Sequence, residues 1–477
     1  YGLGFGFRNG TSEWDIEIRR QDTGPTGNPP FSMDIDRVET DFARLRFITK
    51  LARTTVEVVL GYSDVYHGMN NFDQRPSPMP MRHRETIASG TTYSLNLGFV
   101  SPLGVGDLKY GVDVEEGEHD AAISNPNNST FFVSSVPNVE QDRVGAFVSW
   151  KGKTGPGNLE VGVRADRYED SSGRSMTGPA VPGMARMLAM AFNQSKRDWD
   201  DTAIDLLVRY SQESALGIWR FSLARKNRSP MYLERYGWLP IPASAGLADG
   251  NNYIGDLTLD KETALIAEVG VDVIGGRWWL RPSVFYHDIE DYIQGAPLDP
   301  TPGIIDNPIE MVSNMNGDLT PLRFSNLDAK LYGFDADYGF QLSERWRLEG
   351  VVSVVRGKRL DINDDLYRIS PDRISMALVY EQSNWSASLT LEGVRAQGNV
   401  SRTNSEEETA GYGLVHLFGH WQFKEGIKIS GGIENLMDLK YAQHLAGYNR
   451  VSESEVELGN RLPGTGRNLF LKISLKK

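Results

Sequence analysis

The most constraining feature of this chain is an alternation of apolar and polar residues with a period of two, which recurs from end to end. In the segment 54–63 the two alternating sets are Val56, Val58, Leu60 and Tyr62 against Thr55, Glu57, Gly61 and Ser63. A period of two places one set on each face of a β-strand. Comparable segments lie at 14–19, 43–47, 93–99, 108–115, 159–166 and 469–476. The sequence therefore predicts many strands, each with one apolar and one polar face.

The polar face of these strands carries many charges, among them Asp113, Glu115, Arg164 and Asp166. A dry sandwich core does not tolerate unpaired charge, whereas a large barrel with a wet interior and lipid outside does. The longest apolar-leaning stretch, 184–192, is about half as long as a membrane-spanning helix. A barrel needs no such run, because its apolar band lies in alternate residues. The predicted fold class is all-β, a large antiparallel transmembrane β-barrel.

The connections between these strands support the same fold, because very short turns such as 9–12 and 51–54 alternate with long polar loops. The predicted long loops are 23–38, 66–84, 117–138, 169–199, 226–261, 290–322, 357–368, 396–407 and 440–466. Short turns on the periplasmic side and long loops outside are typical of outer-membrane barrels. We count about 19 strands, and since such barrels usually have an even number, we expect strands upstream of Tyr1.

Composition excludes several other classes of protein. A formal charge of -13 argues against nucleic acid as a partner. The chain has no Cys, so it cannot contain a disulfide, a zinc–thiolate site or a thiol nucleophile. No Ser/His/Asp set is recognisable in the sequence, and we do not expect an enzyme.

Several stretches resemble the TonB-dependent outer-membrane receptors. The segment 431–441, GGIENLMDLKY, resembles their "GxxNLFDxxY" signature, and 461–468, RLPGTGRN, resembles their C-terminal "PGR" motif. The segments 227–230, 257–270, 285–293 and 331–334 also fit. One departure is Lys476-Lys477, which replaces the usual terminal aromatic residue.

This resemblance implies a receptor of the bacterial outer membrane, in contact with lipid and lipopolysaccharide. Its barrel has 22 strands, so residues 1–477 would be the β-barrel domain with about three strands and the N-terminal plug missing. The missing N-terminal region would carry the TonB box, through which the TonB–ExbB–ExbD complex energises transport.

A finer resemblance is to the copper-receptor (OprC/NosA-type) branch of this family. It lies in His67-Gly-Met69, in 33–35, in 79–83 and in 229–239. That branch takes up copper through an H-x-M pair in the barrel and a C-x-x-x-M pair in the plug. Only the first pair can be carried over, onto His67 and Met69, as metal ligands at the end of a strand.

The chemistry of this pair agrees with the implied ligand. A thioether sulfur selects Cu(I), and an imidazole accepts copper in either oxidation state. Residues i and i+2 of a strand share a face and lie about 6.5–7 Å apart. His67 and Met69 could thus converge on one ion, although two ligands alone are too few for tight binding. The expected substrate is copper, with Cu(I) favoured.

Other candidate residues have simpler interpretations. Met79, Met81 and His83 are expected in a solvated loop, with transfer of an ion toward His67 as the alternative. Met184, Met187 and Met190 are spaced as on a short helix and, with Met176, are expected to pack within their loop. His416 and His420 are expected to line the wall. The acidic stretches 361–365 and 406–408 are expected to be solvated, with divalent ions bridging lipopolysaccharide as the alternative.

Two other functions remain open at this point. The first is a receptor for a ferric siderophore or another metal chelate, with an outer pocket formed by residues of the fifth loop. The residues available for that pocket are Arg225, Arg228, Tyr232, Tyr236 and Trp238. The second is a passive porin, which would conduct ions constitutively.

Overall fold

The computed structural model describes residues 1–243 and 246–476, which form twenty β-strands and three α-helices. The strands are β1 (Gly2–Asn9), β2 (Ser12–Thr23), β3 (Asp34–Leu51), β4 (Thr54–Asn70), β5 (Glu85–Leu103), β6 (Gly106–Ser124), β7 (Phe132–Thr154), β8 (Gly157–Ser172), β9 (Trp199–Ser214), β10 (Gly217–Arg228), β11 (Tyr253–Ile254), β12 (Glu262–Ile274), β13 (Trp278–Pro297), β14 (Leu322–Gln341), β15 (Trp346–Arg359), β16 (Arg373–Glu381), β17 (Trp385–Val394), β18 (Tyr412–Lys424), β19 (Ile427–Glu434) and β20 (Asn468–Leu475). The helices are α1 (Gly183–Gln194), α2 (Tyr232–Tyr236) and α3 (Pro308–Met315), and a 3₁₀ turn covers Pro80–Arg82. Among these residues, no helix is both long and apolar enough to cross a membrane.

The strands form one sheet in which consecutive strands pair antiparallel. The exception is β11, a two-residue strand that lies parallel to β14, so that β10 pairs directly with β12. Among the described residues β1 pairs only with β2, and β20 only with β19. The predicted all-β barrel architecture is confirmed, and its long strands number 19 once β11 is set aside. The alternation in the sequence did not predict β11, because a strand of two residues is too short to show a period of two.

The two faces of the sheet differ as the alternation predicts. On the outward face Tyr62 and Tyr93 are directly paired and their rings lie 5.2 Å apart, like the aromatic girdle of a membrane barrel. On the lumen face charges neutralise each other. Arg164 donates to both oxygens of Asp113 at 2.8 Å and to Asp166 at 2.7 Å, and Arg143 bridges the same two carboxylates. Pairing leaves none of these four side chains as an uncompensated charge.

Several strands extend further than predicted. The predicted loop 117–138 is wrong, because β6 continues to Ser124 and β7 begins at Phe132. The predicted end of β4 is also wrong, because the strand runs to Asn70 and contains both His67 and Met69. Only about 9–11 residues cross the membrane, so the last part of the 17-residue β4 projects on the extracellular side. There neither face meets lipid, and the alternation fades although the ladder of hydrogen bonds continues.

The extracellular loops pack together around an apolar cluster that we call the roof core. Its residues come from β6, β7, α1 and the loop before it, α2 and the loop after it, and α3; they are Ala121, Ile123, Val133, Val136, Val139, Val181, Ala185, Ala189, Phe192, Tyr236, Trp238, Leu239 and Val312. Met33, from the loop between β2 and β3, and Ala88 of β5 pack against its edge. Ala88 lies directly opposite His67, so the roof core borders the candidate site.

Candidate metal centre

His67 and Met69 share the lumen face of β4, as the spacing predicts. The register between β4 and β5 is unbroken from residue 55 to residue 70, so both residues lie on the same face as Glu57. Glu57 accepts a hydrogen bond of 2.6 Å from Arg46 on that face. Both candidate ligands lie beyond the girdle formed by Tyr62 and Tyr93, at the extracellular rim. The structure therefore brings the imidazole and the thioether to one side of one strand.

The environment of His67 leaves its Nε2 atom available to bind a metal ion. Nε2 is buried and has no hydrogen-bond partner among the residues that the structure describes. Burial lowers the pKa of His67 below its usual value, because a charged imidazolium loses its hydration there. The ring is consequently neutral near pH 7, which is the form that binds metal ions.

A second thioether lies beside this pair. Thr86 of β5 is directly opposite Met69, and its hydroxyl donates a hydrogen bond of 3.2 Å to Sδ of Met33. Met33 precedes β3 in the chain and entered the sequence analysis only through the resemblance of 33–35. The contact joins residues 53 positions apart, so no local pattern signals it.

The position of Met33 depends on a buried ion pair that we call the loop clamp, formed by Asp34 and Arg75. Arg75 donates to both oxygens of Asp34 at 2.7 Å and to the carbonyl of Phe31 at 3.0 Å. The amide of Asn28 donates to the same carboxylate at 2.7 Å. Burial by itself would raise the pKa of Asp34, but the hydrogen bonds from Arg75 and Asn28 hold it below its usual value. The clamp therefore joins the β2–β3 loop to the β4–β5 loop.

The second sequence cluster divides into two roles. The side chains of Met79 and Met81 are exposed, as expected for a solvated loop. His83 instead organises the loop: its Nδ1 accepts from the side-chain amide of Asn127 at 2.9 Å, so Nε2 carries the proton and donates to the Pro78 carbonyl at 3.0 Å. The ring also stacks on Phe72. Both nitrogens of His83 are occupied, and it is not available as a ligand.

The methionines of α1 form the predicted helical stripe, but the predicted packing is wrong. Met184, Met187 and Met190 are 37, 49 and 55 % exposed. The buried face of the helix consists of Ala185, Ala189 and Phe192. Small residues let the helix approach the roof core closely, so they take the inner face, and the thioethers face outward. Met176 is also exposed.

His119 is a lumen-facing residue that sequence reasoning missed. It lies on β6 opposite Gly90, and its ring stacks on Tyr232 with centroids 4.1 Å apart. Burial lowers the pKa of His119. Its parity with Asp113 and Glu115 marks the same face in the sequence and would have revealed it.

The remaining candidates are engaged in local structure. His416 and His420 lie on the lumen face, where Nδ1 of His416 accepts from the Asn435 amide and His420 contacts the Ser386 hydroxyl at 2.7 Å. In the acidic loops the carboxylates of Asp364 and Glu406 accept hydrogen bonds from backbone amides of the extracellular loops. Asp364 accepts from the amides of Arg402 and Thr403, and Glu406 accepts from those of Ser401 and Arg368.

The aromatic and arginine residues of the fifth loop do not form an open pocket. Tyr236 and Trp238 are buried in the roof core. Arg228 forms ion pairs of 2.7 Å with Glu234 and Glu262. Tyr232 lies against His119, and Arg225 points to the outer face beside Leu206 and Leu265.

A large antiparallel barrel with an apolar outer face, a charged inner face and long extracellular loops defines an outer-membrane barrel protein. The family model for the TonB dependent receptor-like β-barrel matches residues 1–436. The chain belongs to this family, whose members lie in the outer membrane, and we assign it that location. No curated protein matches the chain.

Solved structures share this fold at low sequence identity. The copper transporter OprC is similar with a TM-score of 0.82 and 19 % identity, over 99 % of this chain and 70 % of that one. The ferric yersiniabactin receptor FyuA from Yersinia pestis has a TM-score of 0.64 and 11 % identity, over 98 % and 68 %. The FrpB iron transporter from Neisseria meningitidis has a TM-score of 0.68 and 14 % identity, over 99 % and 70 %.

Proposed function

We propose that this chain is the barrel domain of a TonB-dependent receptor that imports copper ions, preferentially Cu(I), into the periplasm. His67 and Met69 hold the ion at the extracellular rim of the lumen. The observation that carries the proposal is the neutral imidazole of His67, whose Nε2 has no hydrogen-bond partner in the described part of the chain and which shares a face with the Met69 thioether. A soft sulfur and a neutral imidazole form a donor pair suited to copper and poorly suited to the hard ions Mg²⁺ and Ca²⁺.

The rest of the machinery follows from the family. Residues 1–477 act as the barrel domain, further ligands complete the copper site, and the TonB–ExbB–ExbD complex energises transport. The outward face contacts membrane lipid and lipopolysaccharide. The chain transports an ion and catalyses no reaction.

The distribution of methionine supports Cu(I) as the substrate. Of the 13 methionines, ten are exposed, and all ten lie in the extracellular connections; they are Met79, Met81, Met176, Met184, Met187, Met190, Met231, Met311, Met315 and Met437. Ten exposed methionine side chains present soft sulfur atoms to Cu(I) in the surrounding water. We propose that these thioethers raise the local concentration of Cu(I) above His67.

A ferric-siderophore or other chelate receptor is the second candidate, because structures of such receptors share the fold. An outer pocket lined by aromatic and arginine side chains would favour it. Here Tyr236 and Trp238 are buried and Arg228 is neutralised by Glu234 and Glu262. These contacts favour the copper proposal over a chelate.

The test is a metal-content measurement on the receptor isolated from its membrane and loaded with Cu(I) under anaerobic conditions. We expect stoichiometric copper in the wild type and its loss in His67→Ala and in Met69→Ala. Met81→Ala is the matched control, because the Met81 side chain is exposed in the β4–β5 loop, and it should retain the copper. Absence of copper together with binding of a ferric chelate would overturn the proposal. Constitutive conductance in a planar bilayer would instead indicate a porin.

A further inference from the structure

We infer that Met33 is a third ligand that this chain offers to the copper ion and that the Thr86 hydroxyl orients its sulfur. This inference rests on the proposed function and extends the site from one strand to a loop 34 residues earlier in the chain. Its basis is one residue, Thr86, which lies directly opposite Met69 and whose hydroxyl contacts the sulfur of Met33.

Thr86 is a neighbour of both methionines, Met33 by side-chain contact and Met69 by strand register. Directly opposite residues of an antiparallel pair have Cβ atoms about 4.5–5.5 Å apart, and Thr86 is directly opposite Met69. The Thr86 hydroxyl lies 3.2 Å from Sδ of Met33. Both side chains can therefore reach a common point above Thr86 by rotation of their own flexible torsions.

The same location is adjacent to His67. Ala88, the residue opposite His67, and Met33 both pack against the roof core. Thr86 and Ala88 are two residues apart on the lumen face of β5, as Met69 and His67 are on β4. Met33 thus contacts the lumen face of β5 at Thr86, two residues from the Ala88 that lies opposite His67, so the three candidate donors belong to the same end of the β4–β5 pair.

The hydrogen bond from Thr86 is easily exchanged for a metal. A thioether sulfur is a weak hydrogen-bond acceptor, whereas it is a preferred ligand of Cu(I). Binding of copper would use the sulfur lone pair that Thr86 now occupies and would leave the hydroxyl free to turn elsewhere. Thr86 keeps Met33 oriented toward the site without competing strongly for it.

The loop clamp supplies the rigidity that a ligand from a loop requires. Asp34, the residue after Met33, is held by Arg75 and by the amide of Asn28. Arg75 also holds the Phe31 carbonyl on the other side of Met33. With both flanks anchored, little conformational entropy remains to be lost when copper binds.

The first test compares Met33→Leu with Met376→Leu, the same substitution on the outer face of β16. Affinity is measured by competition with bicinchoninate for Cu(I), and the ligand set by copper X-ray absorption on the membrane-derived receptor. We expect Met33→Leu to weaken binding about 10- to 100-fold and to remove one sulfur from the copper shell. Met376→Leu should change neither the affinity for Cu(I) nor the copper shell.

A second variant, Thr86→Val, tests the role of the hydroxyl without touching a ligand. Removing a weak hydrogen bond that competes with copper should tighten binding about two- to fivefold. In a Met33→Leu background the same change should have no effect, because the sulfur that it releases is gone.

The outcomes separate the two proposals. Unchanged affinity and sulfur count in Met33→Leu, with copper lost in His67→Ala, would overturn this inference and leave the copper function standing. Wild-type receptor that binds no Cu(I) would overturn both. If Met33→Leu fails to assemble, a Thr86→Val receptor with unaltered affinity would still refute the inference.

Discussion

Arg75 and Asp34 form a buried ion pair in which two guanidinium nitrogens each lie 2.7 Å from a different carboxylate oxygen, and less than a tenth of either side chain is exposed. The pair connects the loop before β3 with the loop after β4, and it flanks Met33. Its removal offers a direct measure of how firmly the candidate site is held.

Arg75→Leu should loosen the β2–β3 loop. Removing one partner of a buried ion pair leaves an uncompensated charge and costs about 3–5 kcal/mol. Amide hydrogen exchange in residues 24–35 should accelerate accordingly, and Cu(I) affinity should fall with it. Arg20→Leu is the control, because Arg20 pairs with Glu39 and Asp41 on the outer face, and it should leave exchange in 24–35 unchanged. Equal effects of the two variants would contradict a structural role for the loop clamp.

Copper binding should persist into mildly acidic solution. Protons compete with the ion for His67, and because burial lowers its pKa, this competition begins only below the ordinary value of about 6.5. The same shift destabilises the folded state as the pH falls below about 6.5, since the unfolded chain binds the proton more readily. Between about pH 8 and about pH 6.5 the Cu(I) affinity should stay constant, and it should fall only at lower pH, toward about pH 5. A fall that already begins above about pH 6.5 would show that burial does not lower the pKa of His67.

His83→Ala should separate loop structure from metal binding. The alanine variant lacks the hydrogen bonds of His83 to Asn127 and Pro78 and the stacking of its ring on Phe72. Residues 71–84 should therefore become sensitive to protease. The tightly bound copper should remain, because neither ring nitrogen is free for it. His67→Ala provides the opposite case, with the copper lost and the loop intact. Loss of copper in His83→Ala with an intact loop would identify His83 as a ligand instead.

Substitution by leucine should have different effects on the two faces of α1. Replacing Met184, Met187 and Met190 by Leu preserves the helix, because the two residues have similar helix propensity. Copper loading from dilute Cu(I) should slow, while the final tight stoichiometry stays constant. Ala189→Leu adds volume to the buried face and should destabilise the roof by about 1–3 kcal/mol. Loading kinetics that are identical in the triple variant and the wild type would exclude a role for these sulfurs.

Much of the architecture was predictable because membrane crossing imposes a local rule. Residues such as Leu60 and Tyr62 must face lipid while Glu57 faces water, and this requirement is written in alternate positions of one strand. On the extracellular side of the membrane neither face of a strand contacts lipid, so the alternation is no longer required. For this reason β4, β6 and β7 run beyond their predicted ends. The stripe of Met184, Met187 and Met190 shows the same limit, since spacing predicts a helix but not the face that it buries.

The sequence by itself determined the barrel, the family and the common face of His67 and Met69, because each of these depends on the order of neighbouring residues. The tertiary structure alone decided what surrounds that pair: the unbonded nitrogen of His67, and Met33 held by Thr86. These contacts join residues far apart in the chain, and they form only when strand register and loop packing bring them together. Parity along one strand records which side a residue faces, whereas its partners across the lumen depend on the whole sheet.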